Sequence, residues 1–216
     1  YVSGSTAGIY METDGVLIID TGEILSEKGT TEEPAKDVVK PGDYIVAFDS
    51  QTIRSKKDLI EDIKKLNGES VELEVLRNDR IIPLSLTPVK DMQGSYKLGI
   101  WVRDNTQGIG TITFVDENGS YGALGHGISD VDTGDLLKIE KGALYQAEIL
   151  GIQKGSNGSP GELAGLIRYD PDRVIGTISK NTENGIYGTF TASSDKIAMK
   201  RMTVAYKQEL ETGPAS

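Results

Sequence analysis

The chain has no cysteine and a single histidine, His126. The first absence removes thiol nucleophiles, disulfides, and cysteine-bound zinc or iron–sulfur clusters. The second means that any histidine chemistry runs through one side chain. Basic residues are also scarce: 23 Lys and Arg stand against 33 Asp and Glu, giving a formal net charge of −10. That balance argues against nucleic acid and against an anionic membrane surface as a main partner, while leaving room for a local basic patch. No apolar run approaches the roughly 18 residues needed to span a bilayer. Tyr1-Val2-Ser3-Gly4 lacks the charged start and apolar stretch of a signal peptide. The chain opens without Met and closes at Thr212–Ser216 without a clear element boundary, so it reads as a fragment. The missing signal then says little about location.

Glycine is abundant, with 26 residues in 216, well above the usual share of roughly 7%. With few helical patterns, this points to a turn-rich protein that is mainly β with minor α. Gly15-Val16-Leu17-Ile18-Ile19-Asp20 is a short apolar strand, and Ser26 to Lys36 is a polar loop within a solvated acidic stretch from Glu23 to Asp37. Lys40-Pro41-Gly42-Asp43 is a turn before the strand Tyr44–Phe48. Ser55 caps a helix with Asp58 in the capping-box position, and Leu59, Ile60, Ile63 and Leu66 form its apolar stripe. Val71, Leu73 and Val75 alternate with Glu72 and Glu74 as a half-buried strand. Asn78-Asp79 makes a tight hairpin, and Pro83 puts the return strand at a sheet edge. After a linker at 91–97, the chain becomes glycine-punctuated and strand-like. Short strands are expected at Leu98–Val102, Gly108–Val115, Tyr121–Leu124, Val174–Ile178 and Gly185–Phe190, as in a barrel or sandwich.

His126 lies in Gly122-Ala123-Leu124-Gly125-His126-Gly127-Ile128-Ser129-Asp130. Small residues let the backbone turn and let other groups approach the ring. Imidazole titrates near neutral pH, so this frame suits a general base, and equally a structural histidine in a glycine-rich turn. Gly155-Ser156-Asn157-Gly158-Ser159-Pro160-Gly161 mimics a serine-nucleophile motif but lacks its Ser-Gly core. Ser156 and Ser159 are therefore weak candidates. Asp130 and Asp132 could orient the imidazole, or with Asp135 bind a hard cation. Their spacing lacks the calcium-loop pattern, and turn capping is the simpler role.

The ordered set Gly15-Val16-Leu17-Ile18, Pro34-Ala35-Lys36 and Val39-Lys40-Pro41-Gly42-Asp43-Tyr44-Ile45, followed by the helix and hairpin closing at Pro88, resembles a bacterial-type PDZ domain over residues 1–90. The resemblance implies a domain that binds an extended peptide beside a strand. Thr6, Ala7, Gly8 and Ile9 would then form the loop that receives a peptide C-terminal carboxylate. The groove would lie between the strand from Ile9 and the helix from Lys56 to Leu66.

Residues 98–216 resemble part of the peptidase domain of the sporulation stage IV protein B (SpoIVB) family. The carrying stretches are Leu98–Asp104, Gly108–Phe114 and Tyr121–Thr133, then Gly158-Ser159-Pro160-Gly161-Glu162, Gly185-Ile186-Tyr187-Gly188-Thr189 and Glu211-Thr212-Gly213-Pro214-Ala215. The resemblance implies an incomplete chymotrypsin-like β-barrel domain in which His126 is the general base. The family's nucleophilic serine and acidic partner would lie beyond Ser216, leaving this chain alone inactive. It further implies protein substrates, self-cleavage, signalling in spore formation, and secretion from the forespore into the intermembrane space. Membrane proximity would come through a missing N-terminal segment. No cofactor and no metal are expected. The alternative is a non-catalytic peptide-binding module with an attached β domain.

Overall fold

The computed structural model describes residues 1–191, 197–209, 211 and 213. Among them, ten strands have four residues or more. They are β1 (Thr6–Thr21), β2 (Tyr44–Phe48), β3 (Val71–Arg77), β4 (Arg80–Leu86), β5 (Ile100–Val115), β6 (Ser120–Ala123), β7 (Ile139–Gln153), β8 (Glu162–Ile167), β9 (Val174–Thr182) and β10 (Gly185–Phe190). One α-helix, α1 (Lys56–Ile63), lies between β2 and β3.

Six of these strands close on themselves. β5 pairs with β6, β6 with β10, β10 with β9, β9 with β7, β7 with β1, and β1 again with β5, each antiparallel. Closure leaves these strands no open edge along the ring. The barrel is filled by Ile9, Met11, Ile112, Tyr121, Leu144, Ile175 and Ile186, all at most 3% exposed.

The second half of β1 serves another layer. Val16 and Leu17 pair with Ile45 and Tyr44 of β2. β2 continues to β3 and β3 to β4, so Pro83 does fall on an edge strand. α1 covers this sheet, and Leu59 joins Val16, Ile18, Ile45, Leu73 and Val75 in a separate apolar cluster. The helix starts as its sequence requires: the Ser55 hydroxyl accepts the Asp58 amide and the Asp58 carboxylate accepts the Ser55 amide. It ends at Ile63, so Leu66 lies in the following turn. The structure is thus a PDZ-type lobe followed by a β-barrel, and the lobes share two 16-residue strands, β1 and β5.

Thr6–Ile9 requires a correction. These residues form no loop. They lie inside β1, paired with β5 on one side (Gly8 with Ile109) and β7 on the other (Gly8 with Tyr145). Ala7 and Ile9 are buried in the barrel. Both edges being committed to ladders, this stretch has no free row of amides for a carboxylate. Gly8 is there for close approach: a Cβ on it would come within 2.8 Å of the Ile167 side chain.

Candidate active site

His126 stands on the turn that leaves β6. Leu124 (φ 73°) and Gly125 (φ 86°) are both left-handed, a conformation uncommon for a side chain such as leucine. The Gly125 amide reaches back to Ala123 O at 3.0 Å, closing the turn. A Cβ on Gly127 would fall 2.5 Å from Thr182 O, so only glycine lets the chain pass this close to β9.

The imidazole itself is exposed. Its Nδ1 lies 2.9 Å from Gly127 O. A carbonyl only accepts, so Nδ1 carries a proton, and in the neutral ring Nε2 then holds the lone pair. That is the tautomer a general base needs.

The loop behind His126 is held from two directions. Asn181 of β9 accepts the Ile128 amide at 2.9 Å and donates to Ile128 O at 2.7 Å and Leu137 O at 2.9 Å. From the other side, Arg103 of β5 spans Asp130 and Asp132. The Asp130 side chain is fully buried. Besides Arg103 it accepts the amides of Asp132 (2.9 Å) and Thr133 (3.1 Å). Asp130 therefore caps the turn and is turned toward Arg103. His126 has no carboxylate partner among the described residues. Tyr44 joins the clamp by accepting the Lys138 amide at 3.1 Å, and burial raises its hydroxyl above the usual tyrosine range.

Sequence reasoning marked His126, Asp130 and Asp132 but missed Asn181 and Arg103. Their partners are 53 and 27 residues away in the chain, and no local motif signals such pairs. Ser156 and Ser159 sit far along the chain in an exposed turn, bonded backbone to backbone. Among the described residues no group of three His, Cys, Asp or Glu side chains could hold a metal. The proposed tail motif at Glu211–Ala215 lies largely outside the described residues.

A PDZ-type lobe fused to a barrel that presents one exposed histidine defines the class. Residues 94–216 match the SpoIVB peptidase S55 family model and residues 8–87 match a PDZ domain model. The chain belongs to the SpoIVB peptidase S55 family.

Two proteins of Xylella fastidiosa are also similar, each carrying the description "Putative zinc metalloprotease". The one from strain Temecula1 is 32% identical over 122 residues, 56% of this chain and 24% of its own length. The one from strain 9a5c is 35% identical over 92 residues, 42% of this chain and 20% of its own length. The chain thus spans about a quarter or less of these relatives. With one histidine and no cysteine, it cannot supply the paired histidines of a zincin helix, so zinc chemistry does not fit its residues. Among solved structures, the PDZ domain of the SdrC-like protein of Listeria innocua aligns at TM-score 0.36 and 23% identity, over 42% of this chain and 94% of its own. Its Listeria monocytogenes counterpart aligns at TM-score 0.34 and 23% identity, over 41% and 87%.

Proposed function

We propose that this chain is the peptide-docking and general-base portion of a serine endopeptidase. The observation that carries the reading is His126: exposed, on a strained glycine-framed turn, with Nδ1–H held by Gly127 O and Nε2 free. In the complete protein Nε2 would take the proton from a serine hydroxyl as its oxygen attacks a peptide carbonyl. It would then return that proton to the leaving amine. The serine and its acidic partner belong to the segment after Ser216. Substrates are proteins, the protein itself included, and the setting is signalling during spore formation, in the space into which the forespore secretes it. The PDZ-type lobe serves that chemistry by docking peptide segments.

The test is His126→Ala in the full-length protein, with turnover and thermal melting read on one preparation. Turnover should fall by about 10⁴-fold or more with the melting transition unmoved. Retained turnover, or a collapsed transition, makes His126 a structural residue. The 216-residue chain alone should resist a serine-directed fluorophosphonate. Stoichiometric labelling at Ser156 or Ser159 would overturn the placement of the nucleophile.

A further inference from the structure

Where β5 begins, its ladder with β1 slips by one residue. Trp101 faces Asp20, whereas Val102 faces Ile18, and Ile19 is left between as a bulge. A bulge re-aims the side chains around it. Ile100 and Val102 pack against the apolar cluster beneath α1, so Trp101 takes the opposite face of the strand, beside its cross-strand partner Asp20. There the indole rests on Gly22: a Cβ on that residue would come within 2.8 Å of Trp101 Nε1. Glycine lets the ring lie against the backbone. The rest of the ring is open, and Trp101 stays 64% exposed.

Beside the indole is a cavity of about 520 Å³, lined by Trp101, Asp20, Ile19, Pro41 and Asp132. Its two carboxylates arrive from different elements, Asp20 from β1 and Asp132 from the loop that carries His126. Asp132 and the buried Asp130 share a single guanidinium, that of Arg103. Asp20 forms no ion pair among the described residues, and its Oδ1 accepts the Thr21 amide at 2.8 Å. Three carboxylates therefore stand against one cation, in a chain of net charge −10. An open indole face flanked by uncompensated carboxylate attracts a cation. The planar guanidinium of arginine suits it best, because it stacks on the ring and donates at its own edge to a carboxylate. Ile19 and Pro41 supply apolar walls for the methylene stem.

We propose that this pocket binds an arginine side chain of a protein segment, with Trp101 as the stacking surface and Asp20 as the principal carboxylate. Asp132 would add Oδ1 as a second acceptor, since Arg103 occupies its Oδ2. One wall of the pocket is the His126 loop, so the segment is assigned to a substrate, and an arginine there becomes a determinant of which sequences are cut. That assignment rests on the reading of His126 as a general base; the pocket itself does not.

Trp101 is the one tryptophan, so its fluorescence reports on the pocket directly. The whole chain is titrated at low salt with the peptide Ala-Ala-Arg-Ala-Ala, blocked at both ends, and with the same peptide carrying citrulline, which keeps the shape and loses the charge. The arginine peptide should bind at least about tenfold more tightly than the citrulline peptide, and its affinity should fall as salt is raised. Backbone amide chemical shifts should move at Asp20, Gly22 and Trp101. Asp20→Asn should weaken the arginine peptide by about fivefold. Asp20 is exposed, so this variant keeps the fold, and its melting transition checks that. Equal affinity for the two peptides, an unchanged affinity in Asp20→Asn, shifts confined to other residues, or no binding of the arginine peptide would each overturn the site. His126→Ala leaves the pocket intact and decides the peptidase reading separately. Arginine binding in a protein whose turnover survives that substitution would keep the pocket and remove its assignment to substrate.

Discussion

The two lobes use the same long strands in opposite ways. In the barrel, β1 is paired on both edges and its residues alternate into a closed core. In the PDZ-type lobe, the same strand lies under a helix, and its neighbour β5 keeps one edge open. Closure consumes backbone donors and acceptors; an open edge beside a helix leaves them for a partner. The barrel therefore presents side-chain chemistry on its rim, at His126, while the other lobe presents backbone. The difference explains why a motif search finds the histidine readily and the open edge with difficulty.

Cooperativity gives the strongest test of this contrast. Leu59 and Leu144 are buried in different clusters, and truncating either to Ala should cost roughly 3–4 kcal/mol, the lost transfer energy plus a cavity. Because β1 and β5 run through both lobes, both variants should lower one common melting transition. If Leu59→Ala melts the first lobe early and leaves the barrel signal in place, the lobes are independent units sharing only a boundary.

Asp130→Ala strikes the junction itself. It strips Arg103 of its buried partner and leaves the amides of Asp132 and Thr133 without an acceptor. Asp132 still holds Arg103, so the expected loss is about 2–3 kcal/mol, below that for a wholly stranded buried charge. Denaturant midpoints with unchanged slope would measure it. A loss near zero would show that the His126 loop is held by Asn181 alone.

What was legible in the sequence were the local devices. The capping box at Ser55 and Asp58, the turn at Asn78-Asp79 and the edge proline Pro83 all act within a few residues, and each is found where the pattern puts it. From its apolar pattern β1 was legible only from Gly15 to Asp20, while the PDZ resemblance implied a strand from Ile9. Its earlier part contains Glu12, Thr13 and Asp14, which break the apolar pattern, and Thr13 is buried only because its hydroxyl donates to Gly15 O at 2.6 Å. Gly8 reads as a loop because glycine signals either a turn or a close approach, and the second meaning depends on Ile167, which sequence distance hides. The same holds for β5, expected as two short strands and found as one. The site was visible at His126 and invisible at Asn181 and Arg103, which come from distant strands.

Ser55→Ala tests a local device in the lobe that keeps its edge open. The variant removes the acceptor of the Asp58 amide and should cost about 1 kcal/mol. The Asp58 carboxyl is held below its ordinary range, first by its bond with Ser55. A lowered folded value gives stability that is present above the unfolded carboxylate range and lost as pH falls through the folded one. The wild-type advantage over Ser55→Ala should therefore shrink in acid. An advantage that stays constant from neutral pH into acid would separate the hydroxyl's contribution from the carboxylate's.

An effect no larger at neutral pH, and the one that isolates the closed lobe, belongs to Tyr121. It is 1% exposed in the barrel, and its hydroxyl donates to Thr177 O at 3.0 Å. Burial raises its pKa well above the usual value near 10, because a phenolate there would lose its water and face a carbonyl. With the folded value raised, the neutral form's contribution is complete below pH 10 and is lost progressively as pH climbs toward the folded value. Tyr121→Phe removes the bond and the titration together. At neutral pH the variant should be about 1 kcal/mol less stable, from the lost bond to the Thr177 carbonyl. Above pH 10 the gap should narrow, since only the wild type is penalised by ionisation in the unfolded chain. Denaturant melts at pH 7 and pH 10.5 measure both. A gap that widens at the higher pH would mean that Tyr121 ionises inside the barrel, and that the barrel is wetter than its closed ladder and packed interior imply.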